Sequence, residues 1–102
     1  MSNKNCINCN QSEPLFPLGQ VVATPGALEA LDQAAVDASQ LLKRHQHGDW
    51  GIVPPEDAEE NLRSVTNGWR ILSSYQVNND DRIWIITEAD RSVTTLLLPD
   101  EY

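Results

Sequence analysis

The chain has 102 residues and a formal net charge of -8 at pH 7, and 40% of its residues are hydrophobic. This length predicts one domain with one modest core. Nucleic acids and anionic membranes repel an acidic surface, so neither is expected as a direct partner, and a basic protein surface is expected instead. The alternative is that the excess acid only keeps the protein soluble.

The first 20 residues are polar, rich in Asn, and carry Pro14, Pro17 and Gly19. This composition predicts a flexible N-terminal arm over 1–20 and a single domain over 21–102. The N-terminus lacks the apolar region of a signal peptide. No apolar run approaches the roughly 20 residues that a membrane span needs. We therefore expect a cytoplasmic protein.

Two helices are predicted ahead of the C-terminal third. Thr24 is a good N-cap and Pro25 suits the first helical position. Apolar residues then follow at spacings of three and four, which predicts one amphipathic helix that Gly48 ends. Its stripe consists of Leu28, Leu31, Ala35, Ala38, Leu42 and His45. A second helix should begin near Glu56 and end at Asn67.

Three β-rich runs make up the last third of the chain, at Trp69–Val77, Ile83–Ile86 and Val93–Leu98. Polar turns separate them, which predicts two hairpins. The predicted fold is α+β, with two helices followed by a three-stranded antiparallel β-meander and the helices packed on one sheet face. The middle run is apolar on both faces, so the other face could form a homodimer.

Cys6 and Cys9 form one CxxC pair near the N-terminus. A structural zinc site needs four ligands, commonly two such pairs, and the sequence has no second CxxC. The two cysteines are candidate ligands that do not close a site by themselves, so we predict no metal and no cofactor.

A catalytic alternative rests on His45, Arg70 and a hydroxyl such as that of Tyr75. A histidine could take the 2′-hydroxyl proton of RNA while an arginine holds the phosphate, which is metal-independent RNA cleavage. However, His45 continues the apolar stripe of its predicted helix, which is typical of a core residue. The net charge also opposes phosphate binding.

Acidic residues recur in clusters that could imitate the negative charge of a nucleic acid. The candidate partner-binding acids are Glu56, Asp57, Glu59, Glu60, Asp80 and Asp81. Trp50 or Trp69 is the candidate aromatic anchor, because binding hot spots favour aromatic residues. The alternative is that the first cluster only complements a helix N-terminus and the others are solvated turns.

The strings RHQHGDWG, NGWRILSSY and IWIITEADRSVTTLLLPDEY resemble a family of small proteins carried by bacterial plasmids, phages and integrative elements. The resemblance covers about Leu41 to Tyr102 and carries no catalytic residue. It implies an inhibitor of host defence, of the antirestriction or anti-CRISPR kind, that binds a nuclease or a CRISPR effector. The order of helices and meander is also similar to small RNase toxins related to barnase and RelE, which is the runner-up function. Our prediction is a non-enzymatic binding protein.

Overall fold

The computed structural model describes residues 13–102, so Cys6, Cys9 and the first part of the predicted arm lie outside the described residues. The helices are α1 (Pro25–Ala34), α2 (Ala38–Gln46) and α3 (Pro55–Asn67). The strands are β1 (Gln20–Ala23), β2 (Ile71–Gln76), β3 (Arg82–Thr87) and β4 (Val93–Leu97), followed by a 3₁₀ turn at Pro99–Glu101.

The strands form one sheet in the order β1-β4-β3-β2. β2 and β3 pair antiparallel, as do β3 and β4, whereas β1 pairs parallel to β4. The predicted α+β class is confirmed. The finer prediction of two helices and a three-stranded antiparallel meander is wrong, because the described chain has three helices and a four-stranded mixed sheet.

The predicted first helix is divided into α1 and α2. Ala35 adopts the left-handed conformation with φ of 57°, and its N–H bonds to the Asp32 carbonyl. Asp37 then caps α2 by accepting the N–H of Ser39 at 3.0 Å. The apolar spacing continues across this break, and neither Gly nor Pro marks it, so periodicity alone predicted one helix.

β1 lies at the junction of the predicted arm and the predicted domain. A parallel strand needs a crossover connection, so its partner is distant in sequence, and β1 finds β4 more than 70 positions later along the chain. Gly19, with φ of 66°, turns the chain into β1 against the backbone of Arg91 and Ser92, where a Cβ atom would lie 2.4 Å from two carbonyl oxygens.

The main core lies between one sheet face and the helices α1 and α2. Sheet residues such as Ile83, Ile85 and Leu96 meet helix residues such as Leu31 and Leu41 there. A second buried cluster consists of Phe16, Trp50 and Ile71, and Ala58 and Val65 of α3 pack against it. Phe16 therefore joins residues of the predicted arm to the core.

α3 runs along the outer edge of β2. The Asn61 carboxamide donates to the Leu72 carbonyl at 2.8 Å and accepts the Leu72 N–H at 3.2 Å. The Ser74 N–H bonds to the Trp50 carbonyl, and the Ser74 carbonyl accepts the Ile52 N–H. A side chain and a loop thus satisfy the backbone of this edge, which prevents further strand pairing there.

Candidate functional site

Acidic side chains from three separate segments line two neighbouring grooves on the surface. A groove of about 270 Å³ is lined by Asp80 and Asp81 of the β2–β3 turn and by Asp100 of the 3₁₀ turn. A neighbouring groove of about 230 Å³ shares Asp81 and adds Glu29 of α1. We call Glu29, Asp80, Asp81 and Asp100 the acidic corner. Arg82 lines the first groove as the opposing charge.

Asn78 fixes the turn that carries two of these acids. Its side-chain carbonyl accepts the N–H groups of Asp80 at 2.8 Å and Asp81 at 2.7 Å. Its amide also donates to an Asp81 carboxylate oxygen at 3.0 Å. An asparagine side chain that bonds to following N–H groups is a common way to order a turn. The turn therefore presents Asp80 in a defined direction.

The 3₁₀ turn is fixed by Glu101. One of its carboxylate oxygens accepts the Thr24 hydroxyl at 2.5 Å and the Leu98 N–H at 2.8 Å. The Thr24 hydroxyl, followed by the Leu98 N–H, lowers the pKa of Glu101. Asp100 and Glu101 are both exposed, and these bonds hold the Glu101 carboxylate against Thr24 and Leu98.

A second group of acids lies on α3. Glu56, Asp57, Glu59 and Glu60 are all exposed. Asp57 and Glu60 line a groove of about 330 Å³ together with Asn61, Arg70, Leu72 and Tyr102. Residues 99 and 100 line a groove of the acidic corner and Tyr102 lines this one, so the C-terminal tail lies between the two acidic groups.

Tyr102 is the most exposed large aromatic side chain of the described residues, at 70%. Its ring contacts the Trp84 ring edge-to-face at 5.7 Å, and its hydroxyl accepts an Arg70 N–H at 2.8 Å. These contacts place the tyrosine on the sheet face opposite the main core. Tyr102 therefore combines a fixed position with an accessible ring, as an interface anchor does.

Within residues 13–102, two ion pairs join an arginine to a carboxylate, namely Arg44–Asp49 at 2.7 Å and Arg63–Glu60 at 3.3 Å. All 15 acidic residues of the chain lie in this range. The acidic corner takes part in neither pair. Its negative charge is consequently available to a partner's cations.

The predicted aromatic anchor Trp50 is a core residue. It is 6% exposed, stacks against Phe16 at 6.4 Å and meets the His45 ring edge-to-face at 6.0 Å. The alternative anchor, Trp69, is 47% exposed. The acids predicted to bind a partner are on the surface, but Trp50 is not available beside them.

His45 is 0% exposed and lies in a chain of buried hydrogen bonds. Its Nδ1 lies 2.5 Å from the Ser73 hydroxyl and its Nε2 lies 3.0 Å from the Thr87 hydroxyl. Thr87 bonds to Thr94 at 2.7 Å, and Thr94 donates to the Leu18 carbonyl at 2.7 Å. This chain joins α2, three strands and the segment ahead of β1.

The Leu18 carbonyl ends this series of hydrogen bonds and can only accept, so it fixes which group donates in each of the other bonds. The Thr94 hydroxyl donates its hydrogen bond to the Leu18 carbonyl, so the Thr87 hydroxyl donates to Thr94. The Thr87 oxygen must then accept a hydrogen bond from the His45 ring. His45 therefore carries its proton on Nε2 and accepts at Nδ1 from Ser73. Burial, followed by the nearby Arg91 charge, lowers the pKa of His45 to about 4, which keeps the ring neutral.

The three residues of the catalytic alternative do not form an accessible site. Tyr75 is 1% exposed, and its hydroxyl donates to the Asp49 carbonyl at 2.6 Å. Burial raises the pKa of Tyr75 to about 12. Arg70 bonds to Tyr102 on the other sheet face, away from His45. A substrate phosphate could not contact the arginine and the enclosed histidine together, so this geometry disfavours the RNase alternative.

The residues that sequence reasoning missed are Glu29, Trp84 and Tyr102. Glu29 lies in a largely apolar helix, and no local signal connects it to a turn some 50 positions away. Trp84 and Tyr102 meet only because the tail folds back after β4. An aromatic residue beside Asp100 and Glu101 was the one available signal.

No family model, curated protein or solved structure was found to match this chain. The resemblance to proteins of mobile elements therefore stays a prediction. None of the helices in residues 13–102 is both long enough and apolar enough to cross a membrane. That part of the chain also holds no group of three or more His, Cys, Asp or Glu side chains that could bind a metal.

Proposed function

We propose that this protein is a non-enzymatic binding protein whose acidic surface occupies a basic surface of a nucleic-acid-handling protein. The observation that carries the proposal is the acidic corner, where Glu29, Asp80, Asp81 and Asp100 converge from distant parts of the chain without an ion pair among residues 13–102. Complementary charge speeds the encounter with a partner and selects against acidic competitors.

Tyr102 supplies the apolar part of this surface. Charge alone gives little affinity in water, whereas aromatic residues surrounded by a polar rim dominate binding energy. The Tyr102 ring is exposed between the α3 acids and the acidic corner, and the Trp84 ring packs against it edge-to-face. Its position favours a partner that offers a pocket flanked by basic residues.

The proposed partner class is a restriction nuclease or a CRISPR effector. Such proteins hold nucleic acid in strongly basic channels, which an acidic protein of this size could occupy. This part of the proposal depends on the resemblance to mobile-element proteins. The corner itself supports only the basic character of the partner.

The test is an affinity pull-down of tagged protein from a bacterial host, at low and high salt, followed by mass spectrometry. We expect one basic nucleic-acid-handling protein that is lost as salt rises. The variant Asp80→Asn with Asp100→Asn should bind more weakly, whereas Glu13→Gln with Asp32→Asn should bind like the parent. Each double variant removes two of the eight net negative charges, so the pair separates location from total charge. Equal loss in both variants would contradict a role for the corner.

A further inference from the structure

The two outer edges of the sheet differ in how their backbone groups are satisfied. The β2 edge is closed by Asn61 and by the loop around Gly51. At the β1 edge, by contrast, Val21 and Val22 are 43% and 39% exposed. Among residues 13–102, no strand pairs with the outer side of β1. An apolar edge left open in this way is a template for another strand.

The ladder to β4 determines which β1 groups face outward. The Gln20 N–H bonds to the carbonyl of Ser92, just before β4, and the Thr24 N–H bonds to the carbonyl of Leu96 in β4. Since alternate residues of a strand point their backbone groups to opposite sides, those of Val21 and Ala23 face away from the sheet. The open edge therefore presents two donors and two acceptors.

The charge distribution favours a second copy of this chain as the occupant. The protein carries a net charge of -8, so most of its surface repels another copy. No charged side chain occurs from residue 14 to residue 28, a stretch that includes all of β1. Two copies can therefore approach along β1 without a charged side chain from either paired strand between them.

We propose that β1 pairs antiparallel with β1 of a second copy about a two-fold axis at Val22, which makes one continuous eight-stranded sheet. Val21 and the partner's Ala23 exchange two N–H to carbonyl bonds, and symmetry makes four in total. Val22 lies opposite the partner's Val22, as a two-fold interface requires. A four-residue strand buries little area, so we expect a weak dimer with a dissociation constant on the order of 10–100 μM.

Salt distinguishes this association from the proposed binding function. Screening weakens the repulsion between two acidic copies, so the dimer should strengthen as salt rises from about 0.05 to 0.5 M. Binding to a basic partner should weaken over the same range. The two proposals can consequently fail independently of each other.

The experiment is sedimentation equilibrium of the full chain from about 10 μM to 1 mM, at both salt concentrations. We expect a dimer in the parent and in Leu62→Lys, which adds the same charge on α3, and a monomer in Val21→Lys. Val21→Pro removes an N–H that the β4 ladder does not use, so it should also be monomeric while remaining folded. A parent that stays monomeric at the highest concentration and salt would overturn the proposal, as would dimers that persist in both Val21 variants.

Amide hydrogen exchange gives a second measurement that does not depend on a variant. The Val21 and Ala23 amides should be protected at high protein concentration and exchange rapidly on dilution. Protection of both amides in a monomer would mean that another part of the same chain covers the edge, and would overturn the proposal.

Discussion

His45 and Tyr102 lie on opposite sides of the sheet, and each occupies the environment that its residue type would not suggest. The titratable His45 is enclosed, with both ring nitrogens bonded to hydroxyl groups. The aromatic Tyr102 is exposed, and its side chain contacts Trp84 and Arg70. The buried polar group therefore stabilises this fold, whereas the exposed aromatic group is available for binding.

The largest effect is expected from His45→Ala. The substitution creates a cavity and leaves the Ser73 and Thr87 hydroxyls without their buried partner, so we expect a loss of about 4 kcal/mol in the free energy of unfolding. Urea unfolding measures it. The control His47→Ala changes an exposed residue of the same type and should cost less than about 1 kcal/mol. Similar losses in both variants would contradict the stabilising role of His45.

The second effect is a loss of stability in mild acid. His45 has a folded-state pKa of about 4 against an ordinary 6.5, so between these pH values the unfolded chain binds more protons. The contribution of neutral His45 to the free energy of unfolding is therefore fully present above about pH 7. It falls as pH decreases through 6.5, and about 3 kcal/mol is lost by pH 4.

Urea unfolding at half-unit pH steps checks this prediction, with His45→Gln as the variant that cannot titrate. The carboxylates whose pKa is lowered lose their contribution as pH falls through their ordinary values, 3.8 for Asp49 and 4.5 for Glu101. Between pH 7 and pH 5 the change in stability therefore reports on His45 rather than on these carboxylates. A parent whose stability is constant from pH 7 to pH 5 would show that His45 is not neutralised by burial.

A smaller loss is expected from Asn61→Ala, which opens the closed edge of β2. The Leu72 N–H and carbonyl lose their partners, and solvent can replace only part of that bonding, so we expect a cost of about 2 kcal/mol. Thr66→Ala, at an exposed position of the same helix, is the matched control. Equal stability of the two variants in thermal unfolding would mean that the carboxamide does not support the edge.

The smallest effect on stability is expected from Tyr102→Ala, because the side chain is mostly exposed. The free energy of unfolding should change by less than about 0.5 kcal/mol. Affinity for a captured basic partner should nonetheless fall about 10- to 100-fold, as for an aromatic hot spot. Tyr102→Phe keeps the ring and should retain most of the affinity. Unchanged binding by the alanine variant would remove Tyr102 from the proposed surface.

Much of the local structure was predictable because its signals are local. The acidic first turn indicated α3, and the polar turns at Asn78 and Glu88 indicated the hairpins of β2, β3 and β4. The break at Ala35 was not predictable, because a left-handed alanine has no local signature. β1 was missed for a different reason, since four residues form a strand there only through pairing with β4.

The negative charge of the candidate site was predictable, but the full set of residues that form it was not. The α3 acids and Asp80 and Asp81 were identified from clustering alone, and they are exposed or partly exposed. Trp50 was also selected, but an aromatic residue beside a turn can face the core or the solvent with equal local plausibility. Packing against Phe16 and His45 decided it.

The sequence by itself determined the α+β class, the net charge and most helix and strand positions, because these depend on composition and on residues close together in the chain. Only the tertiary structure decided that Glu29, Asp81 and Asp100 share one corner, that His45 is enclosed and that one sheet edge stays open. These features depend on contacts between residues many positions apart, and the energy of such contacts is fixed only when the whole chain packs.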